Sequence, residues 1–279
     1  MTRRAAITGY PVAHSRSPLI HGYWLKRHGL DGTYERVAVE PATAETFYRE
    51  FAKSGLVGCN VTVPHKEVAA ACCDVLDDAA QAMGAANTLW LDDNGRLMGA
   101  NTDGLGFLGN LDQNAPGWVG RCDTALVLGA GGAARAIVWA LVSRGVKKVL
   151  VANRTLSKAQ DFADRFAPVA KAVSWDYLAD ILGRSDLVVN TTSLGMEGQP
   201  PLDLDLSPLP VDALVSDIVY APLVTPLLQA AHDRGNPTVD GLGMLLHQAV
   251  PGFERWFGVR PEVDEALRNL VLADLGVAS

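Results

Sequence analysis

Residues 124–135, Thr-Ala-Leu-Val-Leu-Gly-Ala-Gly-Gly-Ala-Ala-Arg, restrict the fold of this 279-residue chain more than any other stretch. The apolar run 125–128 is short and ended by glycine, which suits a buried parallel strand better than a helix. Residues 133–144 are rich in Ala, Leu and Val, and Gly145 falls where a left-handed C-terminal cap sits, so a helix follows the glycines. Strand, glycine turn and helix in that order let the backbone approach a pyrophosphate closely and aim free helix N-terminal amides at it. The spacing is Gly-x-Gly-x-x-Ala, with Ala134 where many dinucleotide-binding turns have a third glycine. Alone, the turn also fits a tight structural connection. The next apolar run, 148–152, adds a second signal. At its end, about 20 residues past the glycines, the fingerprint usually places an acid for the ribose hydroxyls. Here stand Asn153, Arg154 and Thr155. An acid would repel a 2′-phosphate, whereas a guanidinium holds one through two parallel charge-assisted bonds, so the expected cofactor is NADP(H).

The length exceeds the usual single core, so two domains are expected. A net charge of −7 argues against a nucleic-acid or anionic-membrane surface. No apolar run approaches the roughly eighteen residues of a membrane helix, and no signal-peptide core follows Met1, so the expected location is the cytoplasm. Cys59, Cys72, Cys73 and Cys122 have neither a CxxC spacing nor the density of a disulfide scaffold and are expected to be reduced packing residues. His14, His21 and His28 recur every seven residues without accompanying acids, so no metal site is expected.

Ahead of the glycine turn, strands are expected at 5–8, 34–39 and 57–62, and helices at 19–28, 43–54 and 67–76, an alternation that implies a βαβ-type first domain. Ser17 before Pro18 reads as an N-cap with proline at the first helical position. Capping accounts less well for Ser15, and two hydroxyls near a helix N-terminus suit a bound carboxylate. Asn60 and Thr62 share one side of the third strand by its period of two. Lys66 sits in the first turn of the next helix, where a cation opposes the helix dipole, so something other than helix stability is expected to hold it. Residues 89–91 and 96–99 flank Asp92-Asp93-Asn94-Gly95 and read as a hairpin. Asn87, Asn101 and Asp103 lie on its flanks, where their side chains can converge on a small polyhydroxy molecule or simply form turns.

Past the turn, 186–190 and 214–219 read as further buried strands. The loops that follow them, 191–196 and Tyr220-Ala221-Pro222, belong beside the nicotinamide half of a dinucleotide, because ligands of open α/β sheets bind beyond the carboxyl ends of the strands. A helix at 225–234 and a short strand at 238–240 complete this domain. Gly241-Leu242-Gly243 then opens an apolar helical run with Met244, His247 and Gln248. The final helix, 262–275, has nowhere to pack in a completed Rossmann half, so the C-terminal helices are expected to return to the first domain.

Several separated motifs then agree. Ser15-x-Ser17, Asn60-Val61-Thr62-x-Pro64-His65-Lys66, Gly84-Ala85-x-Asn87-Thr88, Asn101-Thr102-Asp103-Gly104, Gly129-Ala130-Gly131-Gly132, Asn153-Arg154-Thr155 and Asp240-Gly241-x-Gly243-Met244-Leu245 with Gln248 resemble the shikimate dehydrogenase family over nearly the whole chain. The first-domain motifs are the more specific ones, because dinucleotide folds host unrelated chemistries. The resemblance implies an α/β chain with a substrate-binding domain (1–103 and 242–279), a Rossmann-type NADP-binding domain (104–241), and interconversion of 3-dehydroshikimate and shikimate. It implies that Ser15 and Ser17 bind the substrate carboxylate, that Thr62, Lys66, Asn87, Asp103 and Gln248 hold its hydroxyls, and that Tyr220 faces it. Lys66 and Asp103 would be the catalytic pair. On the cofactor side it implies Gly129, Ala130, Gly131, Gly132 and Ala133 around the pyrophosphate, Asn153, Arg154, Thr155 and Lys158 near the adenosine phosphate, and Ile218 and Gly241 by the nicotinamide. Lys158 departs from an arginine frequent in the family, which leaves more of the phosphate clamp to Arg154. The expected partner is a small-molecule substrate, with no nucleic acid and no membrane, and the expected state is a monomer or homodimer. The rival readings are an NAD-dependent shikimate/quinate dehydrogenase, a paralogue acting on an aminated analogue, and a catalytically silent ligand-binding regulator. Ser17 and Arg154 speak against the first, and the joint presence of Lys66 and Asp103 against the last.

Overall fold

A computed structural model describes residues 2–277. Two compact units make up the chain: residues up to Asp103 together with those from Leu246 onward, and Gly104–Leu245.

In the first unit, the elements run β1 (Arg3–Gly9), α1 (Ser17–His28), β2 (Gly32–Ala38), α2 (Ala44–Arg49), β3 (Gly58–Val61), α3 (Lys66–Cys72), β4 (Val75–Leu76), α4 (Asp78–Met83), β5 (Thr88–Leu91) and β6 (Leu97–Ala100). Their sheet has the order β2-β1-β3-β5-β6-β4. Parallel pairing of β1 with β2 and β3 gives way to antiparallel pairing at β5, which is the expected hairpin, with Gly95 at a φ of +76° in its turn.

Three local expectations are corrected. The helix that starts at Lys66 stops at Cys72 instead of reaching residue 76, because the following residues are drawn into the sheet: the Asp74 amide donates to the Leu97 carbonyl (2.8 Å) and the Asp77 amide to the Gly99 carbonyl (2.9 Å). Residues 43–54 are not one helix either, since α2 ends at Arg49 and a 3-10 turn, Phe51–Ser54, leads to Gly55. Ser17 is the first residue of α1 and not its N-cap. Arg16 holds the cap position without a side-chain bond, and the Ser17 amide donates to Ser15 Oγ (3.3 Å).

The second unit continues with α5 (Asp103–Asn114), β7 (Thr124–Leu128), α6 (Gly132–Ser143), β8 (Lys148–Ala152), α7 (Leu156–Ala163), β9 (Ala170–Val173), α8 (Leu178–Leu182), β10 (Leu187–Asn190), β11 (Leu214–Asp217), α9 (Pro226–Asp233) and β12 (Thr238–Val239). The strands form one parallel sheet of order β12-β11-β10-β7-β8-β9. Alternate residues feed two cores. Ala125, Val127, Val149 and Val151 pack with Ile137 and Leu141 of α6 on one face. Leu126, Leu128, Leu150 and Ala152 pack with Leu178, Ile181 and Leu228 on the other. Burial on both faces is why these strands read as continuous apolar runs.

Three helices close the chain: α10 (Leu242–His247), α11 (Val250–Phe257) and α12 (Glu265–Asp274). As expected, the last two belong to the first unit, α11 lying on β3 and β5 and α12 on α1. Trp256 shows why Gly58 is required. Its indole N–H donates to the Leu89 carbonyl (3.0 Å), and a Cβ on Gly58 would sit 1.9 Å from that nitrogen. Among the described residues no helix is long and apolar enough to cross a membrane, and all four cysteines are free.

Around Trp256 lies an aromatic layer with an ionisable centre. His21 is fully buried, stacks on Tyr34 at 3.9 Å between ring centroids, and touches Trp24, Phe253 and Trp256. Burial pushes its pKa from 6.5 down to about 3, with Asn60 the only offsetting group. The unfolded chain therefore binds this proton more readily. Stability from a neutral His21 is complete above about pH 6.5 and lost as the pH falls towards about 3. Denaturant titrations should show His21 lowering stability by up to about 1.4 kcal/mol per pH unit below about pH 6, and His21→Phe should remove that part of the slope. Parallel pH profiles for the two proteins would exclude His21 as its source.

Candidate active site

The chemistry-bearing residues of the first unit meet at the ends of β3, β5 and β6. Lys66 opens α3, and its Nζ pairs with Asp103 Oδ2 at 2.6 Å, both side chains being mostly withdrawn from solvent. That pair answers why a lysine tolerates the positive end of a helix dipole. Just before it, His65 is buried with Nε2 at 2.6 Å from the Val39 carbonyl oxygen. A carbonyl only accepts, so Nε2 carries the proton and ties the start of α3 to the strand β2 side of the sheet.

Asn87, just ahead of β5, sets the direction of the carboxylate. Its Oδ1 accepts the Thr102 amide (2.9 Å) and lies within reach of the Thr88 (3.0 Å) and Thr102 (3.1 Å) hydroxyls. Its Nδ2 therefore faces Asp103, donating to Oδ1 at 2.8 Å. Asn101 accepts the Asp103 amide (3.1 Å) and anchors itself on the Ala85 carbonyl (2.9 Å). The Thr102 hydroxyl lies 2.8 Å from the Gln248 carbonyl oxygen, which attaches Gln248 to the same cluster.

Ser15 and Ser17 form a second polar group at the start of α1, with their hydroxyl oxygens 3.3 Å apart. Behind Ser17 stands a buried relay that sequence reasoning missed. The Tyr34 hydroxyl faces Ser17 and donates to Asn60 Oδ1 (2.6 Å), and Asn60 Nδ2 reaches the Asn87 carbonyl (3.2 Å) and the Thr88 hydroxyl (3.2 Å). Burial raises the Tyr34 pKa well above 10, so it is a phenol and a firm donor. Asn60 was visible in its motif, but only burial assigns it a structural partner. Thr62 follows β3, partly exposed, with its amide on the Thr8 carbonyl.

In the second unit, the glycine turn has the geometry its spacing implies. Gly129 has a φ of +109°, and a Cβ there would lie 2.7 Å from Thr191 Oγ1, so both backbone and space demand glycine. Gly131 and Gly132, at the N-terminus of α6, would project a Cβ into open space, while Ala134 is fully buried. An exposed helix N-terminus free of side chains fits a pyrophosphate. Arg154 and Lys158 are exposed at the start of α7, and neither has an ion-pair partner among the described residues. Asn153 shapes the turn before them by donating to the Thr155 carbonyl (2.9 Å). At the other half of the sheet, Ile218 follows β11, and a Cβ on Gly241 would come within 2.2 Å of the Ile218 carbonyl oxygen. Tyr220 is half-buried in the same loop. Among the described residues no cluster of His, Cys, Asp and Glu is arranged to hold a metal.

A parallel β12-β11-β10-β7-β8-β9 sheet with a glycine turn at β7 defines a dinucleotide-binding domain, and an ion-paired lysine in a polar cluster of the other unit suits proton transfer. The class is that of nicotinamide-dependent oxidoreductases. Comparison with known proteins narrows it. Residues 7–89 match the shikimate dehydrogenase substrate binding domain, 118–196 the shikimate/quinate 5-dehydrogenase model, and 241–268 the shikimate 5'-dehydrogenase C-terminal domain. The chain is 60% identical over 273 residues to the NADP(+) shikimate dehydrogenase of Azorhizobium caulinodans, covering 98% of this chain and 97% of that one. Shikimate 5-dehydrogenase from Thermus thermophilus, solved with NADP(H) and shikimate, superposes with a TM-score of 0.85 at 36% identity over 96% of this chain and 99% of that one. Quinate dehydrogenase from Corynebacterium glutamicum, solved with NAD, superposes with a TM-score of 0.89 at 32% identity over 98% and 99%. The chain belongs to the shikimate dehydrogenase family.

Gly132 offers a direct test of the turn. Gly132→Val places a branched side chain over the α6 N-terminus, and valine is a better helix former than glycine, so the protein should stay folded. Its affinity for NADP(+), read by calorimetry, should fall by about 10-fold or more. Unchanged affinity would remove the turn from the cofactor site.

Proposed function

We propose that this chain catalyses the reversible NADPH-dependent reduction of 3-dehydroshikimate to shikimate, on the route to chorismate and the aromatic amino acids. The observation that carries the reading is the Lys66–Asp103–Asn87 cluster, a proton donor held in one direction by two polar neighbours, in a chain of this family.

When bound, NADPH supplies the hydride that reaches the C3 carbonyl carbon. Hydride addition builds negative charge on the C3 oxygen, which needs a cation and then a proton. Lys66 Nζ provides both, giving its proton to that oxygen in reduction and taking it back in oxidation. Asp103 aims the ammonium and Asn87 aims Asp103. Ser15 and Ser17 bind the carboxylate in this reading, Thr62, Asn87 and Gln248 the ring hydroxyls, and Tyr220 a further part of the substrate. Gly129, Ala130, Gly131, Gly132 and Ala133 take the pyrophosphate. Arg154 and Lys158, with Asn153 and Thr155 shaping the loop, take the adenosine phosphate, and Ile218 and Gly241 flank the nicotinamide. The first unit is then the substrate domain and the second the NADP domain of a cytoplasmic monomer or homodimer.

Three measurements test this. Purified protein given shikimate or quinate with NADP⁺ or NAD⁺ should form reduced nicotinamide fastest with shikimate and NADP⁺. A win for quinate or NAD⁺ would overturn the specificity, and no turnover at all would favour a silent ligand-binding regulator. Lys66→Ala should lower kcat by about 10² to 10⁴ with KM for shikimate changed only a few-fold, whereas a large KM change with kcat intact would refute the proton-transfer role. Arg154→Ala should raise KM for NADP⁺ by about 10-fold or more while leaving the weak reaction with NAD⁺ unchanged. Equal effects on both cofactors would separate Arg154 from phosphate recognition.

A further inference from the structure

One buried charge takes no part in the chemistry described above. Asp217, the last residue of β11, is fully buried. Its Oδ1 accepts from Asn190 Nδ2 (3.1 Å) and the Val219 amide (3.0 Å), and its Oδ2 accepts from the Thr225 hydroxyl (2.7 Å). All three donors are neutral, and no cation is among its partners in the described residues. Their directions are fixed from behind. Asn190 Oδ1 accepts the Thr192 amide (3.0 Å) and hydroxyl (2.8 Å), so its Nδ2 must turn towards Asp217. Thr225 Oγ1 accepts the Leu228 amide (3.3 Å), which leaves its own proton for Asp217. Three donors converge on the two oxygens, an arrangement that suits a carboxylate, which only accepts. Burial raises its pKa, and the three hydrogen bonds work against that rise.

The next residue is Ile218, whose amide donates to the Asn190 carbonyl (3.1 Å) and whose own carbonyl lies against Gly241. Resting on the reading above, in which Ile218 and Gly241 flank the nicotinamide, the carboxylate lies one residue behind a ring that is cationic when oxidised and neutral when reduced. We infer that Asp217 sets the redox preference of the cofactor site, its buried charge stabilising the oxidised cofactor relative to the reduced one. A buried carboxylate with only neutral partners among the described residues acts over a longer range than an exposed one. A fixed negative charge on this side would stabilise the oxidised, cationic ring and so would favour reduction of the ketone. Asp217 touches neither ligand in this account and acts through the field and through the Ile218 backbone.

Calorimetric titration of the full-length protein with NADP⁺ and with NADPH tests the inference without turnover. Asp217→Asn keeps the shape, and its Oδ1 can still accept from Asn190 and Val219 while its amide donates to the Thr225 hydroxyl. The ratio Kd(NADP⁺)/Kd(NADPH) should rise by about 5-fold or more in this variant. Thr225→Val, which removes a hydrogen bond but keeps the charge, should leave the ratio within about 2-fold of wild type. Equal weakening of both forms by Asp217→Asn would make Asp217 a structural residue and overturn the inference. The wild-type protein, for which folding is not in question, should bind NADP⁺ at least as tightly as NADPH, and a preference for NADPH above about 10-fold would also overturn it. Failure of the underlying reading looks different: the wild type would then bind neither form.

Discussion

The polar part of the first unit depends on one amide. Asn87 is buried and its oxygen is occupied by donors from Thr88 and Thr102, so its nitrogen has a single useful direction, towards Asp103. Occupying one carboxylate oxygen leaves the other for Lys66, and the 2.6 Å ion pair follows. Reversing the amide would place oxygen against carboxylate and nitrogen against donors, leaving several buried groups unpaired at about 1–3 kcal/mol each. A lysine at a helix N-terminus, unfavourable on local grounds, is thus held by an interaction whose geometry is decided by residues 87, 88 and 102.

The second unit repeats the device with a different outcome. Asn190 ends β10 as Asn87 leads into β5, and its oxygen is likewise occupied, by Thr192, so that its nitrogen meets the carboxylate of Asp217. Among the described residues no lysine answers that carboxylate. An aspartate paired with a cation can orient that cation, whereas one held by neutral donors has only those hydrogen bonds to offset the cost of burying its charge. Two carboxylates of the same chemical type thus stand in different surroundings, one on each unit.

Local features of the sequence were legible because their causes are local. The β7–α6 turn is written in glycines whose φ and clearance require them, and the β5–β6 hairpin in Asn94-Gly95. Tertiary pairing was not legible: Val75 and Leu76 continue an apolar pattern that suits a helix, yet the sheet captures them through Asp74 and Asp77. Helix α5 and strand β9 also went unread, α5 because glycines at 104, 106 and 109 weaken its propensity and β9 because Lys171 interrupts a four-residue strand. In the site, Lys66 stood out as a cation in the wrong place on a helix, and Asp103 as its partner through the family pattern. Tyr34 and Asp217 carried no such mark, and Asn60 and Thr102 stood in motifs that did not show their partners. Their roles arise from burial, and a threonine or tyrosine in an alternating strand has the same local appearance whether it orients a substrate residue or only fills space.

Fold likeness does not rank the substrates. A quinate dehydrogenase solved with NAD superposes on this chain at least as well as a shikimate 5-dehydrogenase solved with NADP(H), at TM-scores of 0.89 and 0.85. The backbone common to both leaves specificity to a few side chains, and in the proposed reading these include Arg154, Lys158 and Ser17, which stand in different environments. Arg154 and Lys158 are exposed and free to rearrange, so they can favour a phosphate through charge without excluding a cofactor that lacks one. Ser17 is buried, bonded through its amide to Ser15, and backed by Tyr34 and Asn60, so it cannot withdraw to admit an extra hydroxyl without disturbing the relay that ends at Asn87. Discrimination between substrates is therefore expected to be steric and rigid, and discrimination between cofactors electrostatic and graded with ionic strength.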